Sequence, residues 1–188
     1  CRHCRASAED LRHPGELTLE EGKRLIDDVK AMGTPLIIFT GGDPLQRTDL
    51  EDLIRHAKSV GLRAGAIPAA TARLTRERVQ SLRDAGLDQM AISIDGATAA
   101  KHDEFRRVEG TFEKAMEGAR WARELGLPLQ VNTVLGAWNV NDFDAIAELV
   151  QSLGIVFWEV FFLVPTGRGA ELQGVTPGQV EMLFGKLY

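Results

Sequence analysis

The residues best suited to chemistry lie at the start of the chain and at the ends of apolar runs. Both cysteines fall in Cys1-Arg2-His3-Cys4. A lone Cys-x-x-Cys fits half a zinc site, a redox dithiol or a pair of iron–sulfur ligands. A tetrahedral zinc site would have to borrow His3, His13, His56 or His102, which are scattered without ligand spacing and read as surface residues. Further on, Thr40-Gly41-Gly42-Asp43-Pro44 combines two glycines, which let a backbone approach a ligand, with a carboxylate able to accept from an ammonium. The same residues also make a tight turn readily. In Ser93-Ile94-Asp95-Gly96 a hydroxyl and a carboxylate are two residues apart, so in a strand they share a face and suit a ribose diol; Asp before Gly is equally a loop starter. Gln130 and Asn132 are polar residues inside an apolar run, where amides need partners, structural or otherwise. Asn141 suits the N-cap of a helix beginning at Asp142.

Something must carry these residues, and the hydrophobic pattern says what. Leu36–Phe39, Leu62–Ile67, Met90–Ile94, Leu129–Leu135 and Val156–Val164 read as strands covered on both faces, as in a parallel sheet under helices. Segments of helical spacing lie between them. Thr18-x-x-Glu21, Thr48-x-x-Glu51 and Thr176-Pro177-x-Gln179 are capping boxes that open helices. Gly33, Gly61, Gly86, Gly126 and Gly154 each stop a helix just before a strand. About five strands and six helices therefore alternate as a βα repeat, starting with a helix. A doubly wound sheet and a partial (β/α) barrel both fit; in either, chemistry gathers at the carboxyl ends of the strands. No low-complexity linker interrupts residues 1–188, which read as one domain.

Composition narrows the function classes. With 22 Lys plus Arg against 27 Asp plus Glu, the 188-residue chain has a formal charge of −5, and its signs are interspersed. No basic stripe offers a footprint for nucleic acid. No apolar run approaches the roughly 20 residues of a membrane span. A disulfide framework is excluded for the body of the fold, and the charged start does not resemble a signal peptide, so a cytoplasmic setting is expected. The first residue is Cys1 and not Met, and the sequence reads as a piece of a longer chain.

In combination these pieces resemble the radical S-adenosylmethionine (SAM) superfamily. Cys1-Arg2-His3-Cys4 matches the second half of its Cys-x3-Cys-x-Φ-Cys signature, with His3 at the usually aromatic Φ position. Gly41-Gly42-Asp43-Pro44 matches its Gly-Gly-Glu-Pro element with Asp for Glu. Ser93-Ile94-Asp95-Gly96 and Asn132-Thr133-Val134 fall where its ribose-binding strand and the following polar strand belong. The resemblance implies a partial (β/α)6 TIM-like barrel of parallel strands whose first strand and first cysteine precede Cys1. That would leave Leu36–Phe39 as an edge prone to association.

It also implies two cofactors, a [4Fe-4S] cluster and SAM. Cys1 and Cys4 would be metal ligands. Gly41, Gly42, Asp43 and Pro44 would meet the methionyl ammonium, and Ser93 and Asp95 the ribose. Arg106 would pair the SAM carboxylate, Asn132 would border the same site, and His3 with the backbone near Val164 would hold the adenine. The family cleaves SAM reductively to a 5′-deoxyadenosyl radical that takes a hydrogen from substrate, in a dry, enclosed site. Ala6-Ser7-Ala8 and the run from Phe161 to Gly169 resemble members with a C-terminal SPASM-type extension, which act in peptide, quinone or haem maturation. The partners so implied are a reductant such as ferredoxin or flavodoxin and a substrate that is a peptide or a small-molecule cofactor precursor. The alternative is a non-catalytic α/β binding module whose Cys-x-x-Cys is a surface dithiol.

Overall fold

The computed structural model describes residues 1–5 and 13–187, so Ala6-Ser7-Ala8 lies outside the described residues. The first helix, α1 (Leu19–Ala31), starts where the sequence says it should. Glu21 N–H donates to Thr18 Oγ1 while Thr18 N–H donates back to Glu21 Oε2, which satisfies two amides that the first turn leaves unpaired. The strands follow as β1 (Leu36–Phe39), β2 (Arg63–Ala66), β3 (Gln89–Ser93), β4 (Leu129–Leu135) and β5 (Phe157–Phe162). The connecting helices are α2 (Leu50–Ser59), α3 (Arg76–Asp84), α4 (Ala99–Arg106), α5 (Thr111–Glu124), α6 (Phe143–Ser152) and α7 (Pro177–Leu187). All five expected glycine stops have φ between +68° and +97°, a conformation that glycine adopts without penalty.

Every strand pair is parallel and the order is β1-β2-β3-β4-β5. A doubly wound sheet would reverse direction at a switch point; here each crossover advances one strand the same way. The sheet is therefore a curled half-barrel with helices on its convex side. There Met90, Ile92, Val131, Ile54, Leu82 and Ile146 are buried together. Gly22 lets α1 lie close on α2, since a Cβ there would come within 2.8 Å of Leu53.

Four local expectations are corrected. The strands are not covered on both faces: Ile38 is 49% and Phe157 55% exposed, because the concave side of an open barrel has no helices over it. Thr48 does not cap α2. The N-cap is Asp49, without a side-chain cap bond, because Glu51 turns away to pair with Arg78 at 2.7 Å and accept from Ser81 Oγ at 2.6 Å. Asn141 is not the cap of α6; that position falls on Asp142. Finally, among the described residues seven α-helices replace six, because the β3–β4 crossover breaks at Arg107 (φ 57°) and Gly110 (φ 79°). The Asp103 carboxylate holds the break by accepting from Gly110 N–H, Thr111 Oγ1–H and Phe112 N–H.

Candidate functional site

The thiol-bearing turn is pinned to the carboxyl end of the sheet from two sides. Arg2 N–H donates to Phe105 O at the end of α4 (3.1 Å), and Arg168 N–H donates to Cys4 O (3.2 Å). Gly167 packs so closely here that a Cβ would stand 2.7 Å from Arg5 O, and its φ of +55° independently favours glycine. Cys1 is exposed, with Arg106 Nη1 donating to its sulfur at 3.6 Å. The His3 ring stacks on Phe105 at 4.9 Å, and Phe105 stacks on Trp138 at 4.4 Å. Burial pushes the His3 imidazole below its ordinary pKa, against the upward pull of the Asp95 carboxylate, so the ring is neutral at pH 7. Its Nδ1 is buried without a hydrogen-bond partner among the described residues.

Beside this turn opens a cavity of about 440 Å³ whose walls include Cys1, Ser93, Arg106, Thr71, Glu109 and Lys114. The Gly-Gly-Asp-Pro turn reaches it indirectly. Asp43 Oδ1 accepts from Leu45 N–H (3.1 Å) and Ala69 N–H (3.3 Å), while Oδ2 accepts from Thr71 Oγ1–H (2.8 Å). Its carboxylate thus braces the loop after β2, which forms one wall. Pro44 is buried at the start of a short 3₁₀ turn, and Gly41 has φ +135°, a left-handed value that leaves the turn's backbone open. Val164 is exposed just past β5, before the Gly167–Gly169 turn that touches the thiol segment.

Asp95 and Arg106, read from the sequence as ligands of two different groups, pair with each other. Asp95 is only 1% exposed; Arg106 Nε donates to its Oδ2 at 2.7 Å and Arg106 Nη2 reaches the same oxygen. Its Oδ1 accepts from Val134 N–H at 2.9 Å. Its own N–H donates to Nδ1 of His102, which is 1% exposed. His102 is therefore a core residue and not the surface histidine expected. Burial pushes its pKa to about 4, outweighing the pull of Asp95, and the Arg106 charge adds to the lowering.

The concave face carries a row that sequence reading only half saw. Ser93, Asn132 and Glu159 lie side by side in register on β3, β4 and β5. Gln130 Nε2 donates to Asn132 Oδ1 (2.6 Å) and to Glu159 Oε2 (2.8 Å), while Gln89 Nε2 donates to Gln130 Oε1 (2.6 Å). Glu159 was missed altogether, although a lone acid in a strand of aromatics was the available signal. Thr71, Glu109 and Lys114 carried no such signal: the first two stand on loops, and Lys114 is one of several charged residues on α5.

The two thiols suit iron in kind. Among the described residues no group of three or more His, Cys, Asp or Glu is poised to hold a metal, so this stretch offers a cluster two of its donors.

A parallel half-barrel with a thiol, a hydroxyl and a guanidinium around a cavity at the strands' carboxyl ends defines a class of enzyme scaffold, and comparison with known proteins agrees. The sequence profile of the radical SAM superfamily matches residues 1–150, and the chain belongs to that enzyme superfamily. It is 43% identical to the AdoMet-dependent heme synthase of Oleidesulfovibrio alaskensis over 100% of this chain and 49% of that protein. It is 39% identical to the PqqA peptide cyclase of Rhodopseudomonas palustris over 81% of this chain and 40% of that protein. Streptococcus suis SuiB bound to precursor peptide SuiA superposes with a TM-score of 0.82 at 13% identity, covering 100% of this chain and 43% of that one. The chain thus spans about half the length of the curated heme synthase it matches. Membership of an enzyme superfamily leaves the non-catalytic module without support. Among the described residues, no helix is long and apolar enough to cross a membrane.

Proposed function

We propose that residues 1–188 are the core of a radical SAM enzyme that holds a [4Fe-4S] cluster through Cys1, Cys4 and a further thiol contributed from outside them. SAM would lie in the cavity beside that turn. When bound, such a cluster would supply the electron for reductive cleavage of SAM, and the chemistry so provided would be removal of a hydrogen atom from the substrate.

The chain's own residues do the holding. The open backbone of Gly41 and Gly42 receives the methionyl ammonium, with Asp43 and Pro44 fixing that turn against the loop after β2. Arg106 presents its remaining guanidinium edge to the carboxylate of SAM, and Asp95 positions Arg106. Ser93 bonds the ribose, with Asn132 beside it. The neutral His3 ring offers its unpartnered Nδ1 to the adenine, near the backbone around Val164.

The single observation that carries this reading is that Cys1, Ser93 and Arg106, remote in sequence, wall one cavity. The named relatives point to a haem-type cofactor precursor or a peptide as substrate, and the higher identity over the whole chain favours the haem-type precursor. A cytoplasmic ferredoxin or flavodoxin would deliver the electron. The complete gene product, reconstituted anaerobically with iron and sulfide, should release 5′-deoxyadenosine from SAM and dithionite. Cys1→Ala and Cys4→Ala should each abolish that product, and its persistence in either would overturn the proposal.

A further inference from the structure

The row on the concave face contains one group that can only accept hydrogen bonds. Glu159, as a carboxylate, has no proton to give. Gln130 must therefore turn its –NH2 toward Glu159 Oε2, which it does at 2.8 Å. With its nitrogen committed there, Gln130 can face Asn132 only with N–H as well, so Asn132 must answer with Oδ1, at 2.6 Å. The Gln130 carbonyl is left for Gln89 Nε2, also at 2.6 Å. Both amide hydrogens and the carbonyl of Gln130 are then used, and no other arrangement of these four side chains avoids two donors or two acceptors facing each other. Asn132 Nδ2 is left over; it makes no hydrogen bond among the described residues, and Asn132 stands in register with Ser93, which itself lines the cavity.

We propose that Glu159, acting through Gln130, sets the polarity of Asn132, so that the site presents an N–H donor beside Ser93 and selects a ligand atom that accepts hydrogen bonds. Gln130 and Glu159 are positioning residues and touch no ligand in this role. This rests on the reading that SAM occupies the cavity, whose ribose and carboxylate oxygens are acceptors of the required kind.

The test separates polarity from simple structural support. Gln130→Glu, made together with Glu159→Gln so that two carboxylates do not face each other, replaces the donor at 130 by an acceptor of nearly the same shape. Asn132 must then swing Nδ2 toward residue 130 and present Oδ1 to the ligand. Glu159→Lys reverses the row from its other end, because an ammonium can only donate. Gln130→Leu and Glu159→Met cut the row without reversing it, leaving Asn132 free to turn either way. SAM affinity, measured by equilibrium dialysis of radiolabelled SAM against the reconstituted complete protein, is the readout, with circular dichroism to select folded variants. Asn132→Asp, which removes the donor directly, calibrates the loss at about tenfold or more in Kd. The expected result is that the reversing variants match Asn132→Asp while the cutting variants lose only about two- to threefold, the scale of a mobile amide free to adopt either orientation. If each cutting variant weakens SAM as much as its reversing counterpart, the polarity inference is overturned, and either pair alone decides this should a member of the other not fold. If Asn132→Asp itself binds SAM normally, it is the placement of SAM beside Asn132 that fails, and the inference about the ligand fails with it.

Discussion

Removing Arg106 is the perturbation on which the structure makes its sharpest energetic statement. Asp95 has a side chain 0% exposed, and its ion partner Arg106 is 17% exposed. Arg106→Met keeps most of the side-chain volume but deletes the charge, leaving a buried carboxylate with the backbone N–H of Val134 as its remaining donor among the described residues. Breaking one side of a buried pair costs about 3–5 kcal/mol, most of it the desolvated charge left behind. Asp95→Asn keeps an acceptor for Val134 but turns an amide toward the guanidinium, at about 1–3 kcal/mol. In the double variant no charge is buried, and the cost should fall to about 1–2 kcal/mol, below that of Arg106→Met alone. Urea unfolding at pH 7, followed by circular dichroism with matched m-values, measures all three. Single costs that simply add in the double variant would refute the reasoning, since they would mean that Asp95 is not carrying an uncompensated charge when Arg106 is gone.

His102 makes stability depend on pH in a defined window. Its folded pKa of about 4 lies below the ordinary 6.5, so between these values the unfolded chain takes up a proton that the folded chain refuses. Stability should be full above pH 6.5, fall by about 3 kcal/mol as pH drops toward 4, and lose no more from this group below that. His102→Asn, which keeps an acceptor near the Nδ1 position, should flatten that part of the profile, and an unchanged slope in denaturant titrations would count against the assignment. His3 shifts in the same direction and should steepen the same acid limb. Gly167→Ala would force a methyl against Arg5 O and Cys4 O at a backbone position of φ +55°, at a cost of about 1–3 kcal/mol. Because the displaced segment carries Cys4, iron retained after anaerobic reconstitution of the complete protein should drop along with the melting temperature; full iron loading would show that the close approach is dispensable.

The strands, most helix ends and parallel sense of the sheet were legible in the sequence, because each rests on signals within a few residues. Apolar runs of Val, Ile, Leu and Phe, the Thr18 and Thr176 capping boxes and a glycine after five of the helices are short-range facts, and the βα alternation pointed to parallel pairing; the end of α4 at Arg107, which has no such glycine, was not legible. The candidate thiols, glycines and Ser93 were legible for the same reason, since each stands at the boundary of an element.

What needed tertiary structure was everything settled by residues far apart in the chain. Local pattern could not distinguish the sequential order of β1 to β5 from a doubly wound one, nor show that the concave face lies open. Asp95 and Ser93 share a strand end in sequence. Only the return of α4 over the sheet buries the carboxylate against Arg106 and encloses His102 behind it, because a desolvated charge must take the nearest opposite charge that the fold delivers. The Gln89–Gln130–Asn132–Glu159 row likewise exists only once three strands are in register: hydrogen-bond partners are assigned by position in space, and the spacing of amides along one strand says nothing of the carboxylate on the next.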